Sequence, residues 1–178
     1  TLARLDPDAS KKPMSTIELA PLVASISEDM APIAQQKSIS ITHNAQPAQL
    51  DGMEDAIRLM VTNLTDNAIR YTPEGGRIEL RCFTRNGLSV VEVCDNGPGI
   101  APRAMQNLFR VGYSTKFNPE TGNISRGIGL PAVEFMVQEL GGTIQVDSGP
   151  GTVPGGTDAT GACFRVTIPR TAMEKGAV

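Results

Sequence analysis

At 178 residues, with 40% hydrophobic and 20% charged side chains, the chain has the size of one domain, with or without a tail, and enough apolar residues for a proper core. A formal net charge of -3, with 4% aromatic residues and no Trp, excludes both an electrostatic footprint for nucleic acid and a stacking platform for single strands. No apolar run approaches the ~18 residues of a membrane span, and no signal peptide opens the chain.

The opening Thr1-Leu-Ala-Arg-Leu-Asp6 reads as the end of a helix from something longer, so the chain is expected to be a piece of a larger protein. Residues 7–13 follow as a linker by composition, and 14–170 form the folded domain, with 171–178 as a tail. Ser15 to Leu19 is a short extended stretch. Glu18 to Gln36 then carries Leu19, Leu22, Val23, Ile26 and Met30 at helical spacing, with Pro21 in the first turn and Pro32 kinking or ending the last. Ile39 to His43 alternates as a strand with one face buried. His43 is the sole His and reads as a surface residue at a strand end, without the neighbours of a base or a metal ligand.

Asp51 is the expected N-cap of a second helix, with acidic residues in its first turn. At roughly 100° per residue, Ile57, Met60, Val61, Leu64 and Ala68 share one face, and Asn63, Asn67 and Arg70 form a narrower stripe beside it. The helix must end by Thr72, because Pro73 and Gly75-Gly76 cannot continue it. Strands follow at Arg77–Phe83 and Leu88–Cys94, with Asn86-Gly87 as a hairpin signal between them. Asp95-Asn-Gly97-Pro-Gly99-Ile100 is a tight turn, and Pro102 to Phe109 a short helix. Arg110 to Arg126 reads as a long lid. Gly127-Ile-Gly129-Leu130 opens a helix built on Val133, Met136, Val137 and Leu140, capped by Gly141-Gly142. Strands at Thr143–Val146 and Cys163–Ile168 flank a Gly/Pro-rich loop from Ser148 to Gly161. Cys82, Cys94 and Cys163 all sit in strand-like runs without a CxxC pair, so neither a zinc site nor a disulfide framework is expected, and a reducing compartment fits. The element order points to an α/β (α+β) two-layer sandwich, with one mixed, mostly antiparallel sheet of about five strands and three main helices on a single face.

Three pieces carry chemistry. One Asn on a helix reads as a solvated polar residue, but Asn63, Asn67 and Arg70 one turn apart could hold a metal–polyphosphate group, amide oxygens on Mg²⁺ and guanidinium on phosphate. Asp95 is either a turn residue bonding its own backbone or a buried carboxylate accepting from a nucleobase amino group. Gly97 and Gly99 would let the backbone approach the ring. Gly127-x-Gly129 before a helix offers backbone N–H groups to phosphate, and no GxxxxGK[ST] loop occurs.

Together these runs resemble the ATP-binding catalytic domain of sensor histidine kinases, the Bergerat ATP fold. Asn63-Leu-Thr-Asp-Asn67-Ala-Ile-Arg70-Tyr71-Thr-Pro is similar to its N box and Asp95-Asn-Gly97-Pro-Gly99 to its G1 box. Leu108-Phe109 with Gly112-Tyr-Ser-Thr115-Lys116 resembles its F box, and Arg126-Gly127-Ile128-Gly129-Leu130 its G2 box. The likeness covers about 16–169 in family order. It departs from the family at Ser125, where a Gly is common, in the long 148–161 loop, and at Ala162-Cys163, where Thr or Ser is common.

The resemblance implies ATP and Mg²⁺ as ligands, with Asn67 and Asn63 on the metal. Arg70, Lys116 and the Gly127 and Gly129 amides would meet phosphate, Tyr71 and Ile100 the base, and Asp95 the adenine amino group. Phe109 would anchor the lid, with Thr115, Arg126, Ile128 and Leu130 lining the nucleotide site. It further implies transfer of the γ-phosphate to a His on a separate dimerisation/phosphoacceptor domain, a homodimer in the full protein, a cognate response regulator as partner, and a cytoplasmic domain of an inner-membrane sensor. Asn63 stands where the related ATPases have a Glu that activates water, and an amide is no general base. Alternative readings are an anti-sigma-factor-type Ser/Thr kinase or a degenerate nucleotide-binding docking module.

Overall fold

The computed structural model describes residues 14–109, 129–149 and 161–170. The expected segments 1–13 and 171–178 and the lid lie outside them, as does most of the 148–161 loop. The elements run β1 (Ser15–Glu18), α1 (Leu19–Gln35), β2 (Ser40–Ala45), β3 (Gln49–Gly52), α2 (Glu54–Tyr71), β4 (Arg77–Arg85), β5 (Leu88–Asp95), α3 (Pro102–Met105), α4 (Leu130–Glu139), β6 (Thr143–Ser148) and β7 (Ala162–Pro169). Five strands form a sheet in the order β2-β4-β5-β7-β6, in which β2 and β4 are parallel and every other pair antiparallel. β1 and β3 pair separately.

Side-chain alternation decides which sheet face takes the helices. Ile78, Leu80 and Cys82 of β4, Val91 and Val93 of β5, and Phe164, Val166 and Ile168 of β7 share one core with Leu22, Val23 and Ile26 of α1, Ile57, Met60, Val61, Leu64 and Ala68 of α2, and Val133 and Val137 of α4. The helices therefore cover a single face, as the element order implies. Burying this much branched aliphatic surface, at about 25 cal/mol per Å², is the main force holding the layers together.

The ends of the elements follow from local chemistry. Asn86 (φ 53°) and Gly87 (φ 76°) occupy the left-handed region that a two-residue hairpin turn requires. Gly141 (φ 75°) ends α4, with the Gly142 N–H donating to the Val137 carbonyl at 2.9 Å. The Lys37 ammonium closes the C-terminal end of α2, donating at 3.0 Å to the carbonyls of both Ile69 and Arg70.

Three expectations need correction. Asp51 is not the cap of α2. It lies in β3, opposite Thr16, whose hydroxyl donates to its carboxylate at 3.0 Å, and Met53 takes the cap position. The helix expected over Pro102–Phe109 closes after Met105 and continues as turns. Cys94 and Cys163 form a disulfide, because the β5–β7 register sets them directly opposite with Cα atoms 4.0 Å apart. A partner 69 residues away in sequence leaves no local spacing to read, and the ground for a reducing compartment goes with it. Cys82 stays free in the core, where burial pushes its thiol up to about 11.

Candidate nucleotide-binding site

α2 brings its polar stripe to one end of the sheet. Asn67 is buried to 2% exposure, and among the described residues its Nδ2 has no hydrogen-bond partner. A buried amide nitrogen without a partner costs stability, so its position is not explained by the hydrogen bonds of the described residues. Asn63, one turn earlier, is half-exposed and donates its Nδ2 to the Leu59 carbonyl at 2.8 Å, which commits the amide nitrogen and not the oxygen. Arg70 pairs with Asp66 at 3.0 Å across one helical turn, with its side chain 39% exposed.

Beside this stripe lies a largely apolar cavity of about 160 Å³. Ala68 and Tyr71 wall it from α2, Pro98, Gly99 and Ile100 from the turn after β5, Ala104 and Leu108 from α3 and the following turns, and Ala162 and Phe164 from β7. Asp95 lines it with a carboxyl whose pKa is raised, and it sits at the rung where β5 meets Ile78 and Ala162. Its Oδ1 accepts the Gly97 N–H at 2.9 Å, and the Ala162 N–H also donates to the carboxylate. Loss of water around the carboxylate raises its pKa, and the two backbone donors partly offset the rise. Asp95 thus bonds its own turn, and its buried carboxylate also lines a cavity of roughly base size. A Cβ on Gly97 would lie 3.0 Å from that Oδ1, so Gly is what fits against Asp95. Gly99 has φ +80°.

Of the expected site residues, Tyr71, Asp95, Gly99 and Ile100 line the cavity, while Asn63, Asn67 and Arg70 run along α2 beside it. Gly129 is the N-cap of α4. Leu130 and Phe109 pack into or against the core and do not line the cavity, Leu108 taking the wall position beside Phe109. Thr115, Lys116, Arg126, Gly127 and Ile128 lie outside the described residues. Ala101, Ala104 and Phe164 are additions that sequence reasoning missed, since small and apolar wall residues carry no signal apart from the fold; Pro98, within the run likened to the G1 box, and Ala162, where the family commonly has Thr or Ser, line the cavity too.

The far face of the sheet holds a different cluster. Buried Glu92 is bridged at 3.0 Å by both Arg81 and Arg165, and Arg165 reaches Asp147 at 3.1 Å. Among the described residues, Glu92, Cys94 and Cys163 form a group close enough to hold a metal. The sulfurs are bonded to each other and the carboxylate to two guanidinium groups, so that chemistry does not suit a cation.

Residues 52–172 match the family described as "Histidine kinase-, DNA gyrase B-, and HSP90-like ATPase". The chain belongs to this family. It is 35% identical over 149 residues to the sensor protein kinase PmrB of Pseudomonas aeruginosa, covering 83% of this chain and 31% of PmrB. It is 33% identical over 148 residues to the adaptive-response sensory kinase SasA of Crocosphaera subtropica, covering 81% of this chain and 36% of that protein. The chain thus spans about a third of the length of these curated relatives. Among solved structures, it superposes on the mycobacterial sensor histidine kinase MprB with a TM-score of 0.72 at 22% identity, over 88% of this chain and 97% of that one. With full-length ShkA in complex with AMPPNP the TM-score is 0.71 at 26% identity, over 89% of this chain and 31% of that one. The two-layer fold expected from sequence is the fold of these kinase domains.

Proposed function

We propose that this chain is the ATP-binding catalytic domain of a sensor histidine kinase, delivering the ATP γ-phosphate to a His on a separate dimerisation/phosphoacceptor domain in two-component signalling. The observation that carries the reading is the pairing of buried Asp95, facing a base-sized cavity, with buried Asn67, whose amide nitrogen has no partner among the described residues. Full-length ShkA, part of which shares this fold, is a complex with AMPPNP, and that supports a nucleotide as ligand. The relatives named above are sensor kinases, which leaves the anti-sigma-factor-type kinase and the degenerate docking module without support.

In this reading the adenine enters the cavity and Asp95 accepts from its amino group, as a carboxylate held by the Gly97 and Ala162 amides can. The residues present fit Mg²⁺ riding on the phosphates: Asn67 and Asn63 offer neutral amide oxygens, and the metal would neutralise phosphate charge. Arg70, 39% exposed, turns from Asp66 towards the phosphates, joined by Lys116 and the Gly127 and Gly129 amides. Asn63 is no base for water, so the chemistry left to the protein is positioning and charge neutralisation for transfer to a better nucleophile. That nucleophile is not His43, which is exposed on edge strand β2. A cognate response regulator and a homodimeric parent complete the reading, and the parent's place in a membrane rests on the resemblance alone.

Calorimetry with AMPPNP, with and without Mg²⁺, tests it. Wild type binds, and Asn67→Ala still unfolds in one cooperative transition but loses the Mg²⁺-dependent part of binding, because the amide oxygen that would meet the metal is gone. Incubation with γ-labelled ATP leaves His43 unlabelled. Absence of AMPPNP binding to wild type, or stable label on His43, refutes the reading.

A further inference from the structure

The turn that walls the base cavity is held at three points. Asp95 takes the Gly97 N–H at 2.9 Å, and the Asn96 side-chain oxygen takes the Arg77 N–H at 2.7 Å. Both fix the near end of the turn, where it leaves β5. The far end, Gly99-Ile100, forms the cavity wall and meets a residue that no reading of the nucleotide site includes. The Ser148 hydroxyl, at the end of edge strand β6, accepts the Ile100 N–H at 2.7 Å and lies 3.5 Å from the Ile100 carbonyl. Ser148 is itself fixed: it pairs with Ala162, another wall of the same cavity, in the β6–β7 ladder, and the next residue, Gly149, donates its N–H to the Gly161 carbonyl at 3.0 Å. A Cβ on Gly99 would come 2.8 Å from the Ser148 Oγ, so the two backbones approach as closely as they do because residue 99 is Gly.

We propose that Ser148 is a positioning residue for nucleotide binding: its hydroxyl clamps the Ile100 wall to the end of β6 and sets the width of the base cavity before the nucleotide arrives. The inference rests on the nucleotide reading above and adds a residue to it. Without the clamp the Gly99-Ile100 segment samples positions in which the wall is not formed, and nucleotide must select the formed fraction. Apparent affinity then falls by that fraction, which for one part-buried hydrogen bond is up to about fivefold. The Ile100 amide reports the clamp directly, since its proton exchanges with solvent when the bond opens.

The experiment compares wild type, Ser148→Ala and Ser148→Thr, each checked for an intact thermal transition, by calorimetry with Mg²⁺–AMPPNP and by amide exchange at Ile100. The expected result is a Kd raised by up to about fivefold and faster exchange at Ile100 in Ser148→Ala, both restored in Ser148→Thr, which keeps the hydroxyl. A general loss of stability would speed exchange across the core strands as well and would not be repaired by Thr alone. Unchanged Kd in Ser148→Ala with wild type binding normally overturns the clamp and leaves the nucleotide reading standing. Unchanged exchange at Ile100 overturns the clamp too. Failure of wild type itself to bind AMPPNP overturns both. Should Ser148→Ala not fold, Ser148→Cys, whose thiol is a weak acceptor, takes its place: a raised Kd with faster exchange at Ile100 upholds the clamp, and wild-type values of both overturn it.

Discussion

Asp95 shows, at the scale of one residue, a conflict between stability and binding. Its carboxyl is 5% exposed, and desolvation lifts its pKa above the ordinary value of 3.8. A raised folded pKa means that the stability contributed by the uncharged carboxyl is fully present below pH 3.8 and is lost as pH rises through the folded value. Near neutral pH the empty fold therefore carries a buried negative charge at a cost. Asp95→Asn removes that charge but leaves a single oxygen for the Gly97 and Ala162 N–H groups, so the difference between its ligand-free thermal midpoint and that of wild type should move in the variant's favour as pH rises from 4 to 7. The same variant should bind AMPPNP at least about tenfold more weakly, because a charged acceptor for the base amino group is gone. The same difference at pH 7 and 4 would show that the carboxylate is not desolvated. Asp95 and Asn67 were legible in the sequence because their residue types are poor choices for where they stand: a carboxylate ending an apolar strand and a repeated Asn within a helix. Ala101 and Ala104 were not, since nothing distinguishes an Ala that walls a cavity from one that fills a core.

Helix α2 is held at its C-terminal end by a residue of the loop between α1 and β2. The Lys37 ammonium, half-buried, caps the carbonyls of Ile69 and Arg70, within one turn of Asn67 and beside Tyr71. Lys37→Met should lower the urea unfolding free energy by about 1 kcal/mol, the worth of a charged cap on two terminal carbonyls, while AMPPNP still binds. A loss indistinguishable from zero would mean that water replaces the ammonium. Periodicity located α2 and its end at Thr72 because its apolar face and its breakers, Pro73 and the Gly pair, act through the backbone alone. β3 escaped notice for the converse reason. Four residues, Gln49-Leu-Asp-Gly52, have too short a pattern to declare a strand, and an Asp just ahead of a helix imitates a cap; only the partner strand β1 makes it a ladder. The glycine signals at 86–87 and 141–142 held because positive φ is a demand on residue type, independent of distant contacts.

Across the whole molecule, the sheet separates two environments. Its helix side is aliphatic and ends in the cavity, and its far side is stitched by the Arg81–Glu92–Arg165–Asp147 chain of charges over β4, β5, β7 and β6. Glu92 is buried and the arginines only partly so, hence Glu92→Ala should cost about 2 kcal/mol by leaving two guanidinium groups facing each other. Because that face is opposite the cavity, AMPPNP affinity measured under folding conditions should not change, and a weakened affinity would mean that the charge chain sets the β5–β7 spacing at the site. The strand order has a further consequence, in time rather than in energy. The hairpin of β4 and β5 closes over two residues, whereas β5 meets β7 only across the 69 positions that part Cys94 from Cys163. On a ribosome every motif residue from Asn63 to Gly129 emerges before Ala162 and Phe164, the strand residues that close the cavity floor. Under the nucleotide-binding reading, a nascent chain that already displays each of these motifs would still lack two walls of the base cavity until β7 docks.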